Sequence, residues 1–116
     1  MKWKFVLIAS FLWAGIATAE QVTTYDIAHI NHRGSNMILV VTSDNFFEQS
    51  ENTQARWYTA LKVCVREANL AGQTIVVADV DDHLRFYGPK SWHKFLRTLD
   101  MDWVRARVNK ELTCYY

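Results

Sequence analysis

Four aspartates are the residues of this chain best placed by type to do chemistry: Asp44 in "TSDN" and Asp79, Asp81 and Asp82 in "ADVDDH". Carboxylates that converge can hold a hard cation such as Mg²⁺ for hydrolysis or phosphoryl transfer. Their spacing is not that of a known metal motif, and no glycine-rich phosphate loop accompanies them. A half-solvated strand end would read the same way, with Asp79, Asp81 and His83 to one side and Val76, Ala78 and Val80 to the other. Ser43 lies outside any G-x-S-x-G elbow, so it is a poor candidate nucleophile. His29 and His32 are three apart, which sends them to opposite faces of a strand. His83 and His93 have no ligand-type partner at helical spacing, and the chain has neither H-E-x-x-H nor C-x-x-C. No cofactor is expected.

A second constellation is better suited to binding than to catalysis. Residues 85–97 read "RFYGPKSWHKFLR", which sets Arg85, Lys90, His93, Lys94 and Arg97 among aromatic side chains. Such a surface suits an anionic partner, whether phospholipid headgroups, an acidic glycan or an acidic protein. Phe46 and Phe47 stand side by side in the polar segment 43–52. One can reach a core, and an exposed one would be a partner contact unless a short buried helical turn takes both.

Several elements must position these groups. "VTTYDIAHI" (22–30) alternates and is β-rich, "NMILVVTS" (36–43) is a β-branched run, and "NHRGSN" between them carries turn chemistry. From about Thr53 to Ala71, Trp57, Ala60, Leu61, Cys64, Val65 and Ala68 recur at helical steps, with Asn52 as N-cap and Gly72 beyond the C-terminus. "TIVVADV" (74–80) is a third strand. From Ser91 the chain reads as helix again: Trp92, Phe95, Leu96 and Leu99 share one face. Val104, Val108 and Leu112 form an offset stripe, with a break near Asp100. The order β-β-α-β-α implies an α+β domain in two layers: a three-stranded mixed sheet, with the 36–43 and 74–80 strands parallel, packed with two or three helices. Strand 22–30 would then be an edge through which a second copy could pair.

With 116 residues there is room for one domain. Residues 1–19 read as a secretory signal peptide. Lys2 and Lys4 precede the apolar run Phe5–Ile16, and Ala17-Thr18-Ala19 forms a small-x-small cleavage site before Glu20. The domain is therefore expected to be 20–116, in a bacterial periplasm or outside the cell, with no membrane-spanning segment in the mature chain. Cys64 and Cys114, an even pair in an exported chain, are expected to form one disulfide. Charge is unevenly distributed. Residues 20–82 carry four basic and nine acidic side chains, a net of −5, whereas 83–110 carry seven basic and two acidic, a net of +5. A near-neutral total argues against a dedicated nucleic-acid binder. The sequence thus points to a small exported interaction domain that meets a protein or an anionic envelope component through its basic-aromatic segment. The alternative is a small metal-dependent hydrolase or phosphoryl-transfer enzyme at the four aspartates.

Overall fold

The computed structural model describes residues 21–116, and the leader expected at 1–19 lies outside them. Strands β1 (Val22–His32) and β2 (Ser35–Val41) form the expected antiparallel hairpin. Its turn is only two residues long: Arg33 and Gly34 both take positive φ, 53° and 83°, and Asn31 Oδ1 accepts the Gly34 N–H at 3.2 Å. Turns of this mirror-image kind match the right-handed twist of the strands they join.

After a 3-10 turn at Asp44–Glu48, helix α1 spans Glu51–Glu67. Ser50, not Asn52, caps it, its Oγ accepting the Thr53 N–H at 3.3 Å. The helix also ends before Gly72. Asn69 takes the left-handed conformation (φ 60°), and the Leu70 N–H returns to the Val65 carbonyl at 3.2 Å. That bond, with the one from Asn69 N–H to the Arg66 carbonyl, closes a Schellman-type terminus. Gly72 serves another purpose. At φ 143° the chain passes so close to β2 that a Cβ there would stand 2.8 Å from the Asn36 carbonyl oxygen.

Strand β3 (Gln73–Val80) returns parallel to β2, as expected of a strand–helix–strand crossover. Beyond β3 the fold departs from the pattern the sequence suggests. Val80 pairs with His83 across Asp81 and Asp82, both at positive φ, and β4 (His83–Tyr87) runs back antiparallel along β3. A 3-10 turn at Lys90–Trp92 leads into the one-turn helix α2 (His93–Leu96) and the short α3 (Met101–Arg105). The expected break at Asp100 is present, and Asp100 caps α3 by accepting the Trp103 N–H at 2.8 Å. The last segment is a strand, β5 (Lys110–Tyr115), antiparallel to β1. Leu112 and Cys114 are buried while Glu111, Thr113 and Tyr115 are exposed, a period of two that a helix could not produce.

The α+β class with a mixed sheet, three helices and one disulfide therefore holds, but the sheet has five strands in the order β4-β3-β2-β1-β5, not three. The strand 22–30 expected at an edge is interior; the edges are β4 and β5. The two-layer expectation also changes, because both faces of the sheet are packed. Ile27, Ile38, Val40, Val76, Leu112 and Cys114 meet Leu61 and Val65 of α1, with Phe46. On the opposite face Ala28, Met37, Leu39, Ile75 and Val77 meet Leu96, Met101 and Val104 of the α2–α3 segment. Central strands buried on both faces read as continuous apolar runs, and "MILVV" and "IVVA" do so. The Cys64–Cys114 disulfide ties α1 to β5, its Cα atoms 5.9 Å apart. Among the described residues no helix is long and apolar enough to cross a membrane.

Candidate functional site

The acidic cluster is not assembled as a ligand set. Parallel β2 and β3 do end on one edge of the sheet, where the Thr42 N–H bonds the Val77 carbonyl at 2.9 Å. Asp79, however, is already engaged, accepting a hydrogen bond from Arg105 Nη2 of α3 at 3.3 Å. Asp81 and Asp82 make the tight turn between β3 and β4, and Asp44 begins the 3-10 turn. Among the described residues, no three His, Cys, Asp or Glu side chains are grouped as a metal would need. His29 and His32 do fall on opposite faces. His29 Nε2 lies 3.1 Å from the Ala71 carbonyl beyond α1, and His32 stacks on Phe95 at 4.0 Å between centroids.

The basic-aromatic residues also separate. Arg85 sits on the α1 side of the sheet with its guanidinium 5.2 Å from the Phe47 ring. Phe46 is 3 % exposed and packs edge-on against Phe47 and Tyr87, so it belongs to the core and is withdrawn as a partner contact. His93 is also engaged in the fold: its Nε2 lies 3.1 Å from the Gly88 carbonyl and its ring meets Phe86 at 5.0 Å. Lys90, Lys94 and Arg97 remain exposed on the α2 side. The positive segment 83–110 is therefore no single face. Arg105 is paired with Asp79 and Asp102, and Arg107 lies 3.9 Å over the Trp103 ring.

Lys94 belongs to a groove that the sequence did not suggest. It runs where the β1–β2 turn and the starts of β2 and β3 meet α2. Its walls are His32, Arg33, Ser35 and Asn36 from the hairpin, Gly72 and Gln73 ahead of β3, and Ser91, Trp92, Lys94, Phe95 and Thr98 from the α2 segment. The volume is about 1080 Å³, open to solvent. Three of the lining rings cluster: His32 lies on Phe95, with Trp92 6.2 Å from both. Two of the lining residues, Arg33 and Lys94, are cations, and the lining also includes hydroxyl and amide side chains. No carboxylate lines it. Among the described residues the ion pairs are those of Arg105, so Arg33 and Lys94 have no acidic partner.

Arg33 is there because of the turn. Holding an arginine at φ 53° costs strain that a glycine would not, and the hairpin turn makes that residue part of the groove's lining. The two cations are 61 positions apart in sequence, which is why a scan for local charge clusters finds Lys94 and misses Arg33. A comparison with protein-family models, curated proteins and solved structures finds no match to this chain.

Proposed function

We propose that this protein is an exported binding domain that holds an anionic partner of the cell envelope, of the acidic-glycan class, in the His32–Arg33–Lys94 groove. The observation that carries the reading is one groove lined by two cations that have no acidic partner among the described residues, by a cluster of three rings and by no carboxylate. Each component has a counterpart in such a ligand. The planar guanidinium of Arg33 gives paired, charge-assisted hydrogen bonds to a carboxylate or sulfate. Asn36, Gln73, Ser35, Ser91 and Thr98 offer donors and acceptors to hydroxyl groups. Trp92, beside the stacked His32–Phe95 pair, offers apolar ring surface to a sugar.

A lipid surface fits less well. Trp92 and Phe95 are half-buried, and the large apolar side chains that do protrude are Val22, Trp57, Val63, Tyr115 and Tyr116, none of which lines the groove. Export is supported by the leader-like residues 1–19 and by the disulfide, which suits an oxidising compartment. Among the described residues no arrangement of groups favours the metal-dependent hydrolase reading.

The test is a binding titration with polygalacturonate against a neutral polysaccharide of similar length. Replacing both cations (Arg33→Glu with Lys94→Glu) should weaken polygalacturonate binding by about a hundredfold, since each charged contact is worth roughly a factor of ten. Replacing Arg105 and Arg107 should leave it unchanged. Equal affinity for the neutral polymer, or indifference to the Arg33 and Lys94 changes, would contradict the proposal.

A further inference from the structure

The sheet's two edges are not equivalent. Edge strand β4 is short and carries the exposed polar groups His83 and Arg85 between partly buried neighbours, a common way of discouraging strand addition. Edge strand β5 is protected in no such way along its second half, which reads Leu112-Thr113-Cys114-Tyr115 and continues into Tyr116. The large apolar side chains most exposed among the described residues all gather beside it. Val22 pairs with Tyr115 in β1–β5. Trp57 and Tyr116 line one groove of about 540 Å³. Val63, Tyr115 and Tyr116 line a second of about 460 Å³ that runs between α1 and β5, and Ala60 is common to both. Alternation along β5 puts Tyr115 and Val22 on one face of the sheet and Tyr116, with Trp57 and Val63 of α1, on the other, so exposed apolar side chains flank the open strand on both faces, as they do at a partner surface.

The free backbone groups of that strand can be named. Gln21 and Tyr116 exchange both of their backbone hydrogen bonds, at 3.0 and 2.8 Å. In an antiparallel ladder such pairs alternate, so Cys114 and Leu112 also face β1, and the N–H and C=O groups of Glu111, Thr113 and Tyr115 face outward. The Cys64 sulfur approaches one of them, at 3.7 Å from the Thr113 carbonyl oxygen, but a disulfide sulfur has no proton to donate.

We infer that β5 pairs antiparallel with β5 of a second copy, on a two-fold axis at Thr113, to form a continuous ten-stranded sheet. The sequence of β5 is self-complementary in that register and in the charge it carries. Thr113 faces Thr113, Glu111 faces Tyr115, Leu112 faces Cys114 and Lys110 faces Tyr116, so no like charges are opposed. The three outward residues of each strand form three bonded pairs with two hydrogen bonds apiece. Tyr115, Tyr116 and Val63 of each copy are drawn towards the join. The chain's near-neutral net charge of +1 offers no long-range repulsion to oppose it. Lys110 of the second copy would also arrive beside Tyr116, at the rim of a groove whose own lining is uncharged.

Sedimentation equilibrium of the purified protein tests this, with Thr113→Pro and Tyr115→Glu as probes. The wild type should associate to a dimer. Proline at 113 removes an outward donor and no β1–β5 backbone bond, only the 3.1 Å hydroxyl contact of Thr113 with Thr24, so it should leave a folded monomer. Should that variant fail to fold, Tyr115→Glu reads the same interface: two glutamates opposed to Glu111 across the axis should weaken the dimer about tenfold. Adding Glu111→Lys to Tyr115→Glu should restore association. A wild type that stays monomeric at every attainable concentration overturns the inference. So does a dimer indifferent to Tyr115→Glu, or one that Glu111→Lys does not rescue.

Discussion

Reduction of the Cys64–Cys114 bond should destabilise the domain more than any single side-chain change. The cysteines are 50 positions apart, and the closed loop contains the last residues of α1 and all of β3, β4, α2 and α3. In the chain-entropy account a loop of that length restricts the unfolded state by about 4 kcal/mol at 25 °C. A domain of this size has roughly 5–15 kcal/mol in all, so the reduced protein sits near its threshold. The corresponding fall in Tm is roughly 15–30 °C at 4–8 °C per kcal/mol. Location reinforces the effect, since Cys114 is buried and β5 is bonded to only one neighbouring strand. The assay is guanidinium unfolding of the protein with and without a phosphine reductant, followed by tryptophan fluorescence. Reduction should lower the midpoint and steepen the denaturant dependence, because the released unfolded chain exposes more surface. A difference below about 1 kcal/mol would refute the argument. Two free thiols by intact mass before reduction would remove its premise.

Gly72→Ala should cost about 1–3 kcal/mol by urea unfolding, because the residue keeps φ 143° while its Cβ meets the Asn36 carbonyl at 2.8 Å; Gly34→Ala, whose Cβ would meet nothing within 4 Å, should cost less. Tyr58→Phe should lose about 1 kcal/mol, the worth of its 2.7 Å hydrogen bond to the Thr74 carbonyl. Alkaline pH should destabilise the fold through two phenols. Burial, then the neighbouring Tyr87, raises Tyr58; burial, then the hydrogen bond with Tyr25, raises Tyr116. Each keeps its proton in the folded state after the unfolded chain has begun to lose it, so stability is full below pH about 10 and declines as pH rises above it. Tyr116→Phe should flatten that decline, and an unchanged slope would show that the phenol is not held as described.

The first half of the chain was legible because local signals and tertiary packing agree there. The β1–β2 hairpin, α1, β3 and their parallel crossover follow from period-two and period-four apolar patterns. The ends of α1 were displaced because two residues can act where one was expected. Ser50 competes with Asn52 for the cap, and Asn69 takes the left-handed position that Gly72 seemed to fill. β4 was hidden by its turn. Asp81 and Asp82 both adopt positive φ without a glycine to signal it, so "DDH" read as a half-solvated strand end and not as a hairpin. β5 was misread because Val104, Val108 and Leu112 fall at helical spacing by coincidence. Val104 belongs to α3, Leu112 to a strand, and Val108 to the link between them.

The site was less legible than the fold for a related reason. Its cations lie on a turn and a helix brought together only when β2 and β3 pair and α2 covers the far face of the sheet. Of the residues singled out by local composition, Lys94 is in the groove, while Phe46 and His93 are engaged in the fold. Charge density along the chain had no means of separating Arg105, spent on Asp79, from Arg33, which has no acidic partner among the described residues.

The central claim is that the groove between the β1–β2 turn and α2 receives an acidic sugar polymer. Its most direct test is backbone amide mapping by NMR during titration with a short oligogalacturonate. The account predicts saturable shifts confined to residues 32–36, 72–73 and 91–98, which weaken as salt is raised. Shifts centred instead on residues 105–110, or no saturable shift at low salt, would contradict it.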